Sequence, residues 1–293
     1  MNTPGNKFRD AIADNKPLMV VGAINAYCAK MAEKAGHKAL YLSGAGVANA
    51  SFGLPDLAIT TLNDVAEDSR RITQATNLPL LIDIDTGFGG AFSISRTIKE
   101  MIAADVAAVH IEDQVTQKRC GHRPNKSLVD KIEMTDRIKA AVDARTDNSF
   151  FIMARTDSYA SEGMQGAIDR CNEYISAGAD GLFLEAVSSL EDYKQLKDAL
   201  QVPLLANITE FGKTPLFSAQ ELASVGVDIM LFPLSAFRAM NKAAESVYID
   251  IAENGSQVNS VEKMQTRDEL YEYLNYHSFE QKLDELFKRK ENK

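Results

Sequence analysis

Two aspartates, Asp83 and Asp85, stand two positions apart at the end of an apolar run that covers residues 80–84. In a strand, residues i and i+2 point to the same side, so the two carboxylates are expected to converge. A bound cation would relieve their repulsion, and magnesium often takes only one or two carboxylates while keeping water or substrate oxygens. The spacing therefore predicts a Mg²⁺ site; a helix cap or a salt bridge to an arginine is the structural alternative.

A second chemical group is Cys120, which lies in the run Lys118-Arg-Cys-Gly-His122. Basic neighbours stabilise a thiolate, and a thiol can exchange a proton near neutral pH. The thiol is therefore a candidate acid–base group, although the spacing does not exclude an incidental loop cysteine. A Cys–His nucleophilic hydrolase is a poorer explanation, because it leaves the paired aspartates without a role.

Three arginines, Arg155, Arg238 and Arg267, could each bind a carboxylate through two parallel hydrogen bonds. Arg155 is the best placed of them, because it follows an apolar run directly. For Arg238 and Arg267, a surface or intersubunit ion pair explains the residue equally well.

The elements that must position these groups are short apolar runs that alternate with helical patterns. The runs are continuous rather than alternating, which is typical of parallel strands covered on both faces. They cover residues 18–22, 39–42, 80–84, 106–111, 150–154, 181–184, 202–206 and 228–232. Helices are predicted between them at residues 26–35, 65–76, 93–104, 131–144, 164–177, 190–200 and 219–225.

About eight βα units in series predict an α/β fold, a closed (β/α)8 barrel of the TIM type. An open doubly wound sheet usually has fewer strands and often a glycine-rich phosphate turn, so it fits less well. We expect one domain over residues 1–293, with the barrel at about 18–233 and a helical extension at about 234–293. The extension has predicted helices at 236–253, 262–275 and 279–289, with no strand for them to cover.

Polar residues follow almost every predicted strand. Barrel enzymes carry their function at the carboxyl ends of the strands, and a barrel used only as a scaffold has little reason to repeat this pattern. Polar loops explain any one strand end, but they explain the nearly complete set poorly. The residues at these ends include Tyr41, Ser43, Asp83, Glu112, Arg155, Glu185, Asn207 and Thr209.

Composition argues against several classes of partner. The net charge is −9, and the interior of the chain has no dominant basic cluster, so a nucleic-acid partner is not expected. No stretch approaches the ~20 apolar residues that span a bilayer, and the N-terminus lacks the apolar core of a signal peptide. The three scattered cysteines do not form a disulfide framework. We therefore expect a cytoplasmic protein with free thiols.

Three motifs carry a resemblance to a known family: Asp83-Ile-Asp-Thr-Gly-Phe-Gly89, Lys118-Arg-Cys-Gly-His-Arg-Pro-Asn-Lys126 and Asn207-Ile-Thr-Glu-Phe-Gly212. On these residues the chain resembles the isocitrate lyase and phosphoenolpyruvate mutase superfamily, and the resemblance extends from about Gly22 to Tyr271. The Lys-Arg-Cys-Gly-His motif is specific to the lyase branches. Its continuation to Lys126, together with the later Met-Gln-Thr-Arg267, is similar to the branch that cleaves 2-methylisocitrate.

The resemblance implies a fold, an assembly and a reaction. It implies a barrel closed by exchange of a C-terminal helix with a neighbouring subunit, within a homotetramer. The implied reaction is a magnesium-assisted, retro-aldol-type cleavage of a tricarboxylate, 2-methylisocitrate, to pyruvate and succinate. This reaction belongs to the methylcitrate cycle of propionate catabolism.

The resemblance also implies residue roles. Asp83 and Asp85 would hold Mg²⁺, mostly through water, and Cys120 would protonate the succinate-side carbanion. The group that removes the hydroxyl proton stays open among Tyr41, Glu112 and a metal-bound hydroxide. The implied substrate contacts are Ser43, Gly44, Ala45, Cys120, Gly121, Arg155, Glu185, Asn207, Ile208, Thr209, Arg238 and Arg267. Ala45 departs from the usual Ser-Gly-Gly-Gly pattern and would be strained if its position required a positive φ.

Rival functions stay open within and outside the superfamily. Isocitrate lyases proper are usually longer, and the phosphonopyruvate or oxaloacetate enzymes are not expected to carry the Lys-Arg-Cys-Gly-His motif. By resemblance, Phe183, Pro233 and Leu234 leave room for the methyl group of the substrate. A non-enzymatic barrel should have lost at least one of the metal or proton-transfer groups, which are all present.

Overall fold

The computed structural model describes residues 2–119, 121 and 126–288. Within this part of the chain, eight parallel strands pair in sequence order, and the last strand pairs with the first to close a barrel. The predicted (β/α)8 fold is thereby confirmed. The strands are β1 (Leu18–Gly22), β2 (Ala39–Leu42), β3 (Leu80–Asp83), β4 (Ala108–Glu112), β5 (Phe151–Thr156), β6 (Gly181–Leu184), β7 (Leu204–Asn207) and β8 (Ile229–Phe232).

Most of the helices lie between the strands. Those that run from the N-terminus to β8 are α1 (Pro4–Asp14), α2 (Ala26–Lys34), α3 (Gly44–Gly46), α4 (Leu62–Thr73), α5 (Ala91–Ala103), α6 (Lys131–Asp143), α7 (Tyr159–Ser176), α8 (Leu190–Ala199) and α9 (Ala219–Ser224). A short π-helical stretch, Val47–Ser51, continues α3.

Local sequence signals explain where several helices begin and end. Helix α2 begins at residue 26, as predicted, because the side chain of Asn25 accepts a hydrogen bond from the Cys28 amide. Gly36 follows the end of α2 with a φ of +93°. The predicted start of the next helix at residue 65 was wrong. Because Asp64 accepts hydrogen bonds from both the amide and the hydroxyl of Thr61, α4 begins immediately after Thr61.

The barrel wall separates two apolar layers. Leu18, Val20 and Leu81 belong to an inner cluster, and the side chains that alternate with them pack under the surrounding helices. Helix α1, which the sequence analysis did not predict, contributes Phe8 to the inner cluster, with its ring 5.4 Å from that of Phe151. Because Leu18 and Phe151 begin their strands, α1 closes the amino-terminal end of the barrel and leaves function to the carboxyl end.

The chain divides into two compact units, Met1–Phe237 and Arg238–Lys293. The helices after β8 are α10 (Ser235–Asn254), a 3-10 helix (Val258–Lys263), α11 (Arg267–Leu274) and α12 (Tyr276–Phe287). The predicted continuous helix at 262–275 was therefore wrong, and so was the predicted break at 276–278. Asn275 makes the break instead, with a φ of +52° that asparagine tolerates better than most residues. In the described part of the chain, no helix is long and apolar enough to cross a membrane.

Candidate active site

The carboxyl ends of the strands bring most of the sequence-predicted site residues to one mouth. Asp83 pairs with His110 across β3 and β4, and Glu112 pairs with Arg155 across β4 and β5. The other predicted residues of the barrel end a strand or follow one closely, because parallel strands all end on the same side. They are Tyr41, Ser43, Gly44, Ala45, Asp85, Glu185, Asn207, Ile208 and Thr209.

The two aspartates converge, but not for the reason that the spacing suggested. Strand β3 ends at Asp83, and Asp85 has a φ of +49° outside the strand. The amide of Asp85 donates a hydrogen bond of 2.9 Å to Oδ1 of Asp83, which fixes a tight turn. A Cβ atom on Gly44 would lie 3.0 Å from Oδ2 of Asp83 and 3.1 Å from Oδ1 of Asp85. Both carboxylates therefore border the same space, and the turn rather than strand alternation aligns them.

The aspartate pair shares its charge unequally. Burial alone would raise the pKa of Asp83, but His110, Lys118 and Arg155 lower this pKa to about 2. Burial and then the negative charge of Asp83 raise the pKa of Asp85 to about 7. The pair therefore holds its second negative charge weakly, which is the arrangement that a cation stabilises.

The donor set fits a hard cation such as magnesium rather than zinc. Among residues 2–119, 121 and 126–288, no group of three or more His, Cys, Asp or Glu side chains could hold a metal ion. Structural zinc needs four protein ligands and catalytic zinc usually three, whereas Mg²⁺ binds through one or two carboxylates and keeps several waters. Asp83 and Asp85 meet the second requirement.

A lysine from the motif segment already provides positive charge beside the pair. Nζ of Lys118 lies 2.6 Å from Oδ1 of Asp85 and 2.7 Å from Oδ1 of Asp56, and the lysine is almost fully buried. The sequence analysis missed Asp56, which lies in the loop after α3 without a motif around it. Only its contact with Lys118 reveals it.

Tyr41 forms a buried pair with a histidine. Its hydroxyl lies 2.8 Å from Nε2 of His110, and Nδ1 of His110 lies 3.7 Å from Oδ1 of Asp83. Burial and then the charge of Asp83 raise the pKa of Tyr41 well above its usual value, and burial lowers the pKa of His110 to about 4. At neutral pH the tyrosine therefore keeps its proton and the histidine is neutral. The edge of the Phe183 ring packs against His110.

Arg155 is the centre of a buried carboxylate cluster. Its Nε lies 3.1 Å from Asp157 and 3.3 Å from Glu112, and its Nη2 lies 3.1 Å from Glu185. Burial opposes the charge of Arg155, but these three carboxylates raise its pKa and keep it a cation. Burial raises the pKa of Glu112 well above its usual value. The amide of Asn207 approaches Glu185 at 3.3 Å and completes this side of the mouth.

The motif segment reaches Arg155 through Gly121. A Cβ atom on Gly121 would lie 2.4 Å from Nη2 of Arg155 and 2.6 Å from Oε2 of Glu185, so only glycine fits against them. Cys120, the predicted acid, lies outside the described residues. Ala45 is helical and does not belong to the residues with positive φ, so the strain considered for it does not arise.

Two predicted substrate contacts do not belong to the barrel. Arg238 and Arg267 lie in the second compact unit, Arg238–Lys293. They are therefore not among the residues that the strand ends bring together.

Comparison with known proteins gives concordant results. The chain matches the family described as phosphoenolpyruvate phosphomutase over residues 8–252. It is 61% identical over 291 residues to the 2-methylisocitrate lyase of Vibrio cholerae, covering 97% of this chain and 94% of that protein. A crystal structure of 2,3-dimethylmalate lyase matches with a TM-score of 0.89 at 34% identity, covering 98% and 96% of the two chains. A phosphonopyruvate hydrolase complex with oxalate and Mg²⁺ matches with a TM-score of 0.85 at 25% identity, covering 98% and 100%.

Proposed function

Because this chain belongs to the phosphoenolpyruvate phosphomutase family, we propose that it cleaves 2-methylisocitrate to pyruvate and succinate with the help of Mg²⁺. The resemblance inferred from the three motifs is confirmed, and the chain is an enzyme of the carbon–carbon lyase class. The observation that carries the finer proposal is the convergence of Asp83 and Asp85 on one space of the mouth that also holds Arg155. That arrangement suits a substrate with several carboxylates and a hydroxyl group.

The reaction breaks one carbon–carbon bond without an external oxidant or reductant. The substrate hydroxyl loses its proton and becomes the carbonyl of pyruvate as the bond breaks, and the electron pair remains on the succinate carbon. Cys120 donates the proton that completes succinate. Held by Asp83 and Asp85, Mg²⁺ would make the hydroxyl of a 2-hydroxy acid more acidic.

Tyr41 and Glu112 are the two side-chain candidates for removing the hydroxyl proton. The raised pKa of Tyr41 makes its anion scarce at neutral pH, although that anion would be a strong base. The raised pKa of Glu112 makes its carboxylate a stronger base than an ordinary glutamate. Comparing kcat of Tyr41→Phe and Glu112→Gln separates them, because only the true base loses about a hundredfold or more.

The remaining polar residues bind and orient the substrate. Arg155 offers a planar guanidinium that can hold a carboxylate through two hydrogen bonds. Asn207 ends β7 and Thr209 follows it, two strands further around the barrel. Phe183 lies against both His110 and Arg155, and with Pro233 and Leu234 it would accommodate the methyl group. A methyl group contributes only ~1–3 kcal/mol of discrimination, so we expect slow cleavage of isocitrate.

A homotetramer with exchanged helices is supported by a partly exposed apolar strip on the outside of the barrel. We define the β1–β8 strip by Met19, Val21 and Phe232, which line a groove of about 490 Å³ beside α2. In a (β/α)8 barrel the helix that follows each strand normally covers such a position. Here α10, α11 and α12 have no buried residues. An equivalent helix from a second copy would cover both apolar faces.

A cytoplasmic location stays a prediction from the sequence.

The experiment that tests the function is pyruvate release from the purified protein, with 2-methylisocitrate and isocitrate compared in Mg²⁺ and then in chelator. We expect Mg²⁺-dependent pyruvate from the first substrate and little glyoxylate from the second. Glyoxylate as the main product would assign the chain to the isocitrate branch, and no product from either would contradict the proposal.

The proton donor is tested separately with Cys120→Ser. The variant should fold and bind substrate but lose nearly all turnover, because a hydroxyl is a much weaker acid than a thiol. Near-normal turnover would contradict the role of Cys120, and Cys28→Ser, a change in a helix, serves as the control for thiol loss.

A further inference from the structure

Lys126, at the far end of the motif segment, is nearly buried between two partners. Its side chain is 9% exposed and forms an ion pair with Asp157, which is fully buried. The same ammonium donates a hydrogen bond of 2.6 Å to the carbonyl oxygen of Gly121. A lysine in this setting is unusual, because desolvating its ammonium has a cost that only firm partners offset.

Asp157, the first partner of Lys126, also contacts Arg155. One oxygen of Asp157 faces Lys126, and the other accepts a hydrogen bond of 3.1 Å from Nε of Arg155. The backbone amide of Asp157 donates to Oδ1 of Asp113 at 3.0 Å, so the backbone at this position is held in place. Lys126 therefore shares with Arg155 a carboxylate that is attached to a well-fixed backbone position.

Gly121, the second partner of Lys126, also contacts Arg155. Gly121 lies so close to the guanidinium that no Cβ atom would fit between them. Lys126, Asp157, Arg155 and Gly121 thus form a closed ring of contacts, in which one atom of Lys126, Nζ, hydrogen-bonds to both Asp157 and Gly121. Without Lys126, Arg155 would be the remaining ion-pair partner of Asp157 among the described residues, and it would share its charge with Glu112 and Glu185 as well. Gly121 would lose the hydrogen bond from Lys126.

We propose that Lys126 is a positioning residue for the lyase reaction. It balances part of the negative charge of Asp157 and fixes the position of Gly121. Arg155 is thereby left oriented to receive a substrate carboxylate. The proposal rests on the proposed function for its choice of substrate. Lys126 does not need to touch the substrate, since its effect passes through Asp157 and Gly121.

Steady-state cleavage of 2-methylisocitrate by wild type, Lys126→Met and Lys126→Arg tests the proposal. In Lys126→Met, Asp157 draws Arg155 more strongly, so KM should rise about tenfold or more while kcat falls by a smaller factor. Lys126→Arg keeps a cation with several donors and should return KM to within about threefold of wild type. Lys139→Met, which removes a lysine that is 62% exposed on α6, should match wild type.

A purely structural role gives a different result. It would lower the melting temperature and the folded fraction, and therefore kcat, but KM would stay unchanged. That pattern, or a wild-type KM in Lys126→Met, would overturn the proposal. If Lys126→Met does not fold, Lys126→Gln retains a donor for Gly121 without the charge, and its KM decides in the same way.

A binding measurement keeps this proposal separate from the proposed function. Calorimetric titration in Mg²⁺ measures the affinity for succinate. Binding of succinate requires Arg155 to hold a carboxylate, but it does not require cleavage of a bond. We expect the affinity of Lys126→Met for succinate to fall about tenfold, with recovery in Lys126→Arg. No cleavage by wild type would refute the proposed function alone, whereas equal succinate affinity in wild type and Lys126→Met would refute the role of Lys126.

Discussion

Asp85 has a backbone conformation that few aspartates adopt. A left-handed φ of +49° costs roughly 1–2 kcal/mol for an ordinary L-residue, and the hydrogen bond from its amide to Asp83 offsets part of that cost. The strained turn brings the second carboxylate back toward the first. Strain of this kind persists where the surrounding structure enforces it, and here it serves to concentrate negative charge.

Gly121 offers the sharpest steric test at the scale of one residue. We expect Gly121→Ala to lower kcat/KM by about a hundredfold, because the added Cβ would lie 2.4 Å from Nη2 of Arg155. The guanidinium or the motif segment must then move. Steady-state kinetics measure the loss. Gly90→Ala is a matched control, because its Cβ would meet no atom within 4 Å, and it should retain wild-type activity.

The sequence identified some site residues readily and others not at all. Asp83, Arg155 and Asn207 could be predicted, because each stands at the end of an apolar run and a barrel gathers such ends. Asp56 and the pairing of Lys126 with Asp157 could not, since these contacts join distant loops whose paths no local pattern encodes. Side-chain partners across a mouth depend on tertiary structure.

At the scale of elements, strands were predicted more accurately than helices. Three strands, β1, β2 and β6, have the predicted limits, because continuous apolar runs end abruptly at polar residues. Helices α2, α6, α8 and α9 begin at the predicted residue, but α4, α5 and α7 begin two to five residues earlier than predicted. Helix α1 was missed although Thr3 and Pro4 are a recognisable start signal, with Thr3 accepting a hydrogen bond from the Asn6 amide.

Asp228 is the residue through which several elements close the barrel. Its carbonyl accepts from the Leu18 amide of β1, and its carboxylate accepts from the Leu204 amide of β7 at 3.0 Å. The carboxylate also pairs with Lys197 of α8 at 2.6 Å and with Lys16 at 3.3 Å. Burial opposes its charge, but these donors lower the pKa of Asp228 below its usual value.

The lowered pKa of Asp228 predicts a pH-dependent effect on stability. Because the folded-state pKa lies below the unfolded one, the stabilisation is present above the unfolded pKa of about 3.9 and disappears as pH falls through the folded pKa. Because Asp228→Asn weakens the charge-assisted hydrogen bonds from Lys197 and Lys16, it should cost about 2 kcal/mol at pH 7, or about 5 °C in melting temperature. The cost should become progressively smaller in acid. Thermal unfolding at a series of pH values measures this difference.

The control for that series is an exposed acid. Asp136→Asn on α6 removes a carboxylate that is 66% exposed. Among the described residues, its one ion pair is with Lys139, at a distance of 3.6 Å between Oδ1 and Nζ. Its melting temperature should match wild type at each pH, because exposed ion pairs contribute little. An Asp228→Asn effect that did not change with pH would mean that shape rather than charge matters at this position.

At the scale of the whole molecule, the β1–β8 strip predicts the assembly. Met19 points outward from β1 and is 45% exposed, whereas its neighbours Leu18 and Val20 are buried inside the barrel. In a tetramer with exchanged helices, Met19→Glu would bury an unpaired charge at each interface, which costs several kcal/mol. We expect light scattering to give a tetramer for wild type and smaller species for the variant.

An exposed apolar residue elsewhere provides the comparison for Met19. Ile132 on α6 is 74% exposed and lies away from the strip, so Ile132→Glu should leave the tetramer intact. Equal masses for wild type and Met19→Glu, with circular dichroism unchanged, would show that the strip is not an interface. A monomeric wild type would contradict the assembly itself.

The pairing of β1 with β8 also determines when the protein can fold during translation. One edge of β1 finds β2 soon after it leaves the ribosome, but its other edge has no partner until Ile229–Phe232 has been synthesised. A nascent chain therefore exposes an open strand edge and an unsealed interior until most of its length is made, and such edges promote aggregation. We expect cellular chaperones to bind nascent chains that are stalled before residue 229 and to release those that extend well beyond residue 232. Synthesis of the last strand would therefore determine when the barrel can close.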